Sequence, residues 1–165
     1  MDRVTMVVEV PFGSNLKYEQ EGGHLRLDRV LNTCMMYPGN YGYIPGTLAG
    51  DGDPLDAIML VDYAVHPSVH VDVRIIGVLI TEDEKGMDEK LIVVPCEDVD
   101  ARYASTQCLE DVSESVKSRL SHFFSTYKTL DTHKWVKVQG FGDVVQAHQI
   151  LRDSIQRLAR ESAVE

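Results

Sequence analysis

Val4, Met6, Val8 and Val10 alternate with other residues at the period of two that a half-buried β-strand requires. The alternation returns at Leu25 and Leu27, set between His24, Arg26 and Asp28, and Gly22-Gly23 supplies a turn before them. Short β-branched runs at Ala57–Val61, Val69–Ile80, Leu91–Val94 and Trp135–Gln139, bounded by Gly, Pro or Asp, predict further strands. Then the period changes. Val112, Val116, Leu120, Phe123 and Tyr127, with Phe124 beside them, form a helical stripe, and Asp111 with Glu114 resembles a capping box at its start. A second stripe, Val144, Ala147, Leu151, Ile155 and Leu158, follows the cap-like pair Asp143 and Gln146. This pattern predicts a mainly β chain with flanking helices (α+β), built as a small closed or partly closed barrel with both helices packed against it.

No repeat, low-complexity tract or Ser/Pro linker interrupts the chain, and 165 residues suit a single domain, 1–165. Apolar residues at 44% and charged residues at 25% are near globular averages, which excludes wholesale disorder. The net charge of −10 changes the picture more. So negative a surface repels nucleic-acid phosphates and anionic membranes unless its few cations are gathered in one place. Cys34, Cys96 and Cys108 are odd in number and widely spaced, which excludes a zinc ribbon or CxxC redox site and predicts free, buried thiols in a reducing compartment. The opening MDRVTMVVEVPFG lacks the apolar stretch of a signal peptide, and the longest apolar runs, such as Ile75–Ile80, are too short to span a bilayer. A cytoplasmic protein with no membrane or nucleic-acid partner is expected.

Candidate chemistry is concentrated between Tyr37 and Asp56, in YPGNYGYIPGTLAGDGDPLD. Asp51, Asp53 and Asp56 crowd three carboxylates around Gly52 and Pro54. Asp-Gly and Asp-Pro are ordinary turn formers, so a plain turn accounts for them. Three neighbouring anions also repel one another, however, and a hard cation with oxygen ligands relieves that repulsion. An EF-hand is excluded: a loop starting at Asp51 would need Gly sixth and Glu twelfth, where Asp56 and Asp62 stand. A second acidic stretch, TEDEKGMDEK at Thr81–Lys90, reads as a hairpin turn around Lys85-Gly86 joining two apolar strands. Lys17, Arg29 and Lys128 have mundane readings as surface charges or a helix-end complement, unless the fold brings them together. His66 and His70 read as loop or strand residues. P-loop, GxGxxG and GxSxG motifs are absent.

The ordered set of motifs resembles the family I soluble inorganic pyrophosphatases, the bacterial type in particular. DGDPLD at Asp51–Asp56 fits the family's D-x-D-P-x-D signature. It is accompanied by VEVP around Glu9, KYE at Lys17–Glu19, LDR ending at Arg29, YPGNYGY at Tyr37–Tyr43, the Asp83…Asp88-Glu-Lys90 hairpin, HFFSTYK ending at Lys128 and KWVKV near Trp135. The resemblance implies a five-stranded OB-like barrel with two main α-helices, a Mg²⁺-dependent site at the barrel mouth (several Mg²⁺ per subunit, Mn²⁺ or Zn²⁺ as substitutes), and hydrolysis of pyrophosphate to two phosphates. It also implies a homohexamer. By position, Asp51, Asp56 and Asp88 match ligands of the metals nearest the attacking water, and Asp53 the residue that takes its proton. Asp83 and Asp88 match ligands of a further metal arriving with substrate, and Glu9 and Glu19 match acids holding water around the metals. Lys17, Arg29, Lys90, Tyr127 and Lys128 match positions that grip phosphate oxygens, while Tyr41 and Tyr37 match tyrosines lining the pocket.

The same residues make chemical sense without the resemblance. Pyrophosphate is a polyanion whose attack by oxygen needs charge screening, which bridging cations and a few well-placed Lys and Arg supply without a covalent nucleophile. Two other classes stay open: a catalytically silent divalent-metal-binding OB-like module, which gains nothing from Lys17, Arg29 or Lys128, and an OB-fold binding single-stranded nucleic acid, which would call for a basic groove.

Overall fold

In the computed structural model, which describes residues 3–163, nine strands follow in chain order. They are β1 (Arg3–Val10), β2 (Leu16–Glu21), β3 (His24–Val30), β4 (Asn40–Tyr43), β5 (Asp56–Met59), β6 (His70–Asp83), β7 (Gly86–Met87), β8 (Lys90–Pro95) and β9 (Val136–Gly142). Two α-helices, α1 (Glu114–Thr126) and α2 (Val144–Ser162), complete the described part, with single 3₁₀ turns at Ala101–Tyr103 and Leu109–Asp111.

Five of the strands close a ring in the order β1-β4-β5-β8-β6, and β6 returns to pair with β1. The pairings are antiparallel except β5 with β8, which run parallel. Numbered by their order in the chain, the ring strands run 1-2-3-5-4, as expected of an OB-like barrel. The fourteen-residue β6 is the longest described strand, and it pairs with β1, β7, β8 and β9. Its length is used by bulges near Ile75–Gly77 and Ile80–Thr81, which bend it around the ring. The β2–β3 hairpin forms a separate two-stranded sheet turned by Gly22 and Gly23, both at positive φ.

Alternation sorts the apolar side chains into two layers. Met6, Val8, Ala57, Met59, Val73, Ile75, Leu91 and Val93 fill the ring, and Ala147 and Leu151 of α2 join them. Ile58, Ile76, Leu79 and Ile92 point outward and are covered by Leu120, Phe123 and Phe124 of α1. Both faces of β5 and β8 are therefore buried, which is why their sequences read as continuous apolar runs. Where β4 crosses β1, a Cβ on Gly42 would lie 1.8 Å from the Val7 carbonyl oxygen, so only glycine allows that approach.

Several expectations shift. The α1 cap is Ser113, whose side chain accepts from the Val116 amide; the Asp111 carboxylate instead accepts from the Gln107 and Cys108 amides, and Val112 precedes the helix. Asp143 caps α2 as expected, accepting from Gln146 N–H at 2.9 Å. On α2 the buried line runs Ala147–Leu151–Ser154, and Ile155 is 47% exposed. The strand read at Trp135–Gln139 begins at Val136 and extends to Gly142, and β2, β4 and β7 carried no strand reading. All three cysteines are free, but Cys34 is exposed and Cys108 half-buried, leaving Cys96 as the buried one. Among the described residues no helix is long and apolar enough to cross a membrane.

Candidate active site

On β5, Asp56 stands two residues before Ile58; on β8, Lys90 stands two before Ile92. Asp56 and Lys90 are register partners, so both project to the same outer side of the sheet as Ile58 and Ile92, just beyond Phe124 of α1. Tyr41 reaches the same place from β4 and Glu9 from β1. The β4–β5 loop brings Asp51 and Asp53. Its turn is shaped by the Asp53 amide, which donates to Asp51 Oδ1 at 3.0 Å, and it is braced by Thr47, whose hydroxyl donates to Ile44 O at 2.5 Å and accepts from Leu55 N–H at 2.9 Å. The β6–β7 hairpin supplies Asp83, and Asp88 follows it, held by its amide on Thr81 O at 2.9 Å and by the Thr81 hydroxyl donating to Asp88 O. Lys17 and Arg29 are register partners across β2–β3, and Tyr127 and Lys128 close α1.

Glu9, Lys17, Arg29, Tyr41, Asp51, Asp53, Asp56, Asp83, Asp88, Lys90, Tyr127 and Lys128, together with Glu19 of β2, line one cleft of about 630 Å³. The fold thus performs the convergence that spacing could not show. The cleft lies along the outer wall of the ring, beside its hairpin-bearing end. Eight carboxylates and six cations face it, so six of the chain's sixteen Lys and Arg residues are gathered here. Tyr37 lines an adjoining pocket with Lys17, Arg29 and Lys128, its ring 4.9 Å from Tyr41 and 4.5 Å from Phe123. Lys134, Lys85, Glu84 and Tyr43 also line the cleft, though no site role was read for them. Lys134 opens the KWVKV stretch and Tyr43 closes YPGNYGY, so the motifs reached them while the role assignments did not.

At the centre, Lys90 is 1% exposed. Its ammonium donates to Asp56 at 2.9 Å, Asp88 at 3.0 Å and the Tyr41 hydroxyl at 3.0 Å, and lies 5.3 Å from the centres of the Tyr41 and Phe124 rings. Burial works against its charge, but Asp56 and the other surrounding groups outweigh that, and the Lys90 pKa is held well above the ordinary range. Tyr41 donates to the same Asp56 oxygen, and burial followed by the Asp56 charge pushes its phenol well up. Lys128 bonds Asp83 at 2.9 Å; burial would raise Asp83, but this hydrogen bond and that of the Lys85 amide keep it below the usual carboxylate range. At the hairpin rim Lys17 pairs with Glu19 at 3.0 Å, and Arg29 with Asp28 at 2.6 Å.

The acids that remain short of counter-charge show what would complete the site. Burial lifts the Glu9 carboxyl to about 7, with Asp56, Glu19 and Asp28 adding repulsion against Lys17. Burial likewise lifts Asp88 to about 6, with Asp56 and Asp51 adding to it against Lys90. Among the described residues no three acidic, histidine or cysteine side chains close around one point, and the Lys90 ammonium stands between Asp56 and Asp88. Even so, the donors are all carboxylate oxygens on separate elements, and their mutual repulsion is the kind a hard divalent cation removes. The donor set fits such ions.

The family model described as inorganic pyrophosphatase matches residues 6–159. The chain belongs to the inorganic pyrophosphatase family. It is 44% identical over 156 residues to the inorganic pyrophosphatase of Campylobacter jejuni, covering 93% of this chain and 91% of that one. The inorganic pyrophosphatase structure from Helicobacter pylori superposes with a TM-score of 0.92 at 42% identity, over 96% of this chain and 94% of the other. That from Thermus thermophilus gives 0.89 at 48% identity, over 96% and 92%. These pyrophosphatases share the closed ring and its flanking helices, as the resemblance implied.

Proposed function

We propose that this cleft hydrolyses inorganic pyrophosphate to two phosphates without a covalent intermediate. The observation that carries the reading is the convergence itself: carboxylates able to hold divalent cations face cations able to hold phosphate oxygens across one cleft. Asp51, Asp56 and Asp88 would hold Mg²⁺ ions, with Asp83 contributing beside Asp88 and with Glu9 and Glu19 holding surrounding water. Bound Mg²⁺ supplies screening of the substrate's charge and acidifies water.

The chain's own residues do the rest. Lys17, Arg29 and Lys128 bind phosphate oxygens from the rim, and Tyr127 does so from the end of α1. Lys90, whose three N–H donors are taken by Asp56, Asp88 and Tyr41, holds the two carboxylates in place and adds a positive charge beside the phosphate oxygens. Tyr41, donating to Asp56, fixes which carboxylate oxygen faces the cleft. Asp53, exposed on its loop, accepts the proton of the attacking water and passes it to solvent. The same reading makes the chain one domain and a subunit of a cytoplasmic homohexamer.

The deciding experiment is phosphate release from pyrophosphate with and without Mg²⁺, with an Asp53→Asn protein alongside. Rapid Mg²⁺-dependent release is expected, lowered on the order of 10²-fold or more by the substitution, as for loss of a proton acceptor. No release with any divalent metal would leave a silent metal-binding module.

A further inference from the structure

Helix α2 carries none of the motif residues, and its burial ends early. Ala147, Leu151 and Ser154 are its buried positions, yet the helix runs on to Ser162 with mostly exposed side chains. Those last turns make a specific contact. The Leu48 amide donates to the Ser154 carbonyl at 3.1 Å, and the Arg157 guanidinium donates to the Leu48 carbonyl at 2.7 Å. Both peptide groups of Leu48 are therefore held by α2. Leu48 sits in the β4–β5 loop, next to Thr47, and Ala49 follows it into the core beside Ala147 and Leu151. From Ala49 the loop folds directly onto its acidic tip: the Ala49 amide donates to Asp53 O at 2.7 Å and the Gly52 amide to Ala49 O at 3.2 Å.

We propose that Arg157 is a positioning residue for the acidic loop, clamping Leu48 from outside the cleft so that Asp51 and Asp53 keep their spacing from Asp56. The proposal rests on the functional reading above only where it concerns Mg²⁺; the clamp itself is a property of the metal-free chain. A charged hydrogen bond to a carbonyl is stronger than a neutral one. Arg157 is exposed and fills no core space, so its removal loosens the loop without opening a cavity.

The test compares full-length Arg157→Ala and Arg157→Lys proteins with the parent by two readouts. In metal-free protein, hydrogen exchange of the loop peptide spanning residues 44–55 is expected to quicken about three- to tenfold in R157A, the scale of one lost hydrogen bond. With Mg²⁺ titrated at saturating pyrophosphate, the Mg²⁺ concentration for half-maximal phosphate release should rise by a similar factor while the rate at saturating Mg²⁺ is retained. R157K, which can still donate to Leu48 O, should recover most of both. A merely structural role would lower the melting temperature and the saturating rate and leave the Mg²⁺ requirement alone; that result overturns the proposal. Unchanged loop exchange in R157A overturns it as well, whatever the activity. If the parent protein released no phosphate at any Mg²⁺ concentration, the functional reading would fall, and the exchange comparison with its lysine rescue would still decide the clamp.

Discussion

Two stretches of one wall, two residues apart on the same strands, behave in opposite ways. Ile58 and Ile92 meet Phe124 and Leu120 in a dry layer, while Asp56 and Lys90, next along the same outward face, build a charged centre. Burial does not distinguish Lys90 from Ile92, at 1% and 0% exposed, while the Asp56 side chain opens to the cleft at 23%. The difference lies in partners. An isoleucine needs only shape around it, whereas a buried ammonium persists only with its hydrogen bonds to Asp56, Asp88 and Tyr41. Packing by α1 therefore supports the site in two ways: Phe124 closes the apolar layer and also lies beside the Lys90 charge.

Substitutions at the two stretches should separate chemistry from packing. Asp56→Asn is expected to have the largest effect, removing activity by about 10³-fold or more through lost metal binding, with circular dichroism showing a retained fold. Full activity in a well-folded D56N protein would put the metal centre elsewhere. Lys90→Met should follow, with phosphate release down on the order of 10²–10³-fold, the cost of one removed charge-stabilising donor. In the metal-free protein Asp88, no longer held down by the Lys90 charge, should also take up its proton at higher pH, readable by titration. Ile92→Ala breaks the other half of the comparison. It should cost about 2–5 kcal/mol in denaturant unfolding, as for a buried isoleucine, while the protein that remains folded keeps its Mg²⁺ dependence. Should I92A lose activity as completely as K90M without losing stability, the two stretches are not separable.

The smallest effect concerns pH. Glu9 near 7 and Asp88 near 6 are raised carboxylates, so the folded metal-free chain holds protons that the unfolded chain has already released. Their contribution to stability falls as pH rises from the ordinary carboxylate range to about 7. Mg²⁺ competes with those protons, so the rise in melting temperature on adding Mg²⁺ should grow between pH 5.5 and 8. Equal Mg²⁺-induced rises at both ends would show that these acids do not meet the metal.

What could be read from the sequence followed how local the signal was. Long β-branched runs such as Val69–Ile80 and the Asp143 cap announce themselves within a few residues. β4 does not: its NYGY is strand only because Gly42 lets it pass beneath Val7, a contact across more than thirty residues of chain. Asp111 and Ser113 compete for the same cap, and the contest is settled by the Gln107 and Cys108 amides that occupy Asp111. On the site, motif resemblance supplied the acids and the cations. It could not supply the Lys90 hub or the part played by α2, because hydrogen bonds such as Arg157 to Leu48 join segments whose sequences hold no trace of each other.

The ring order also has a consequence for synthesis. β5 takes as its neighbour not β6, which follows it, but β8, and β1 is closed only by β6. As the chain leaves the ribosome, β5 must wait about 36 residues for its partner's last residue, on the order of 2–7 s at typical translation rates. Until then the β5 edge lacks its parallel partner, although β6, complete twelve residues earlier, can already pair with β1. The nascent chain is most open to chaperones, and to mispairing with its neighbours on the same messenger RNA, in that window.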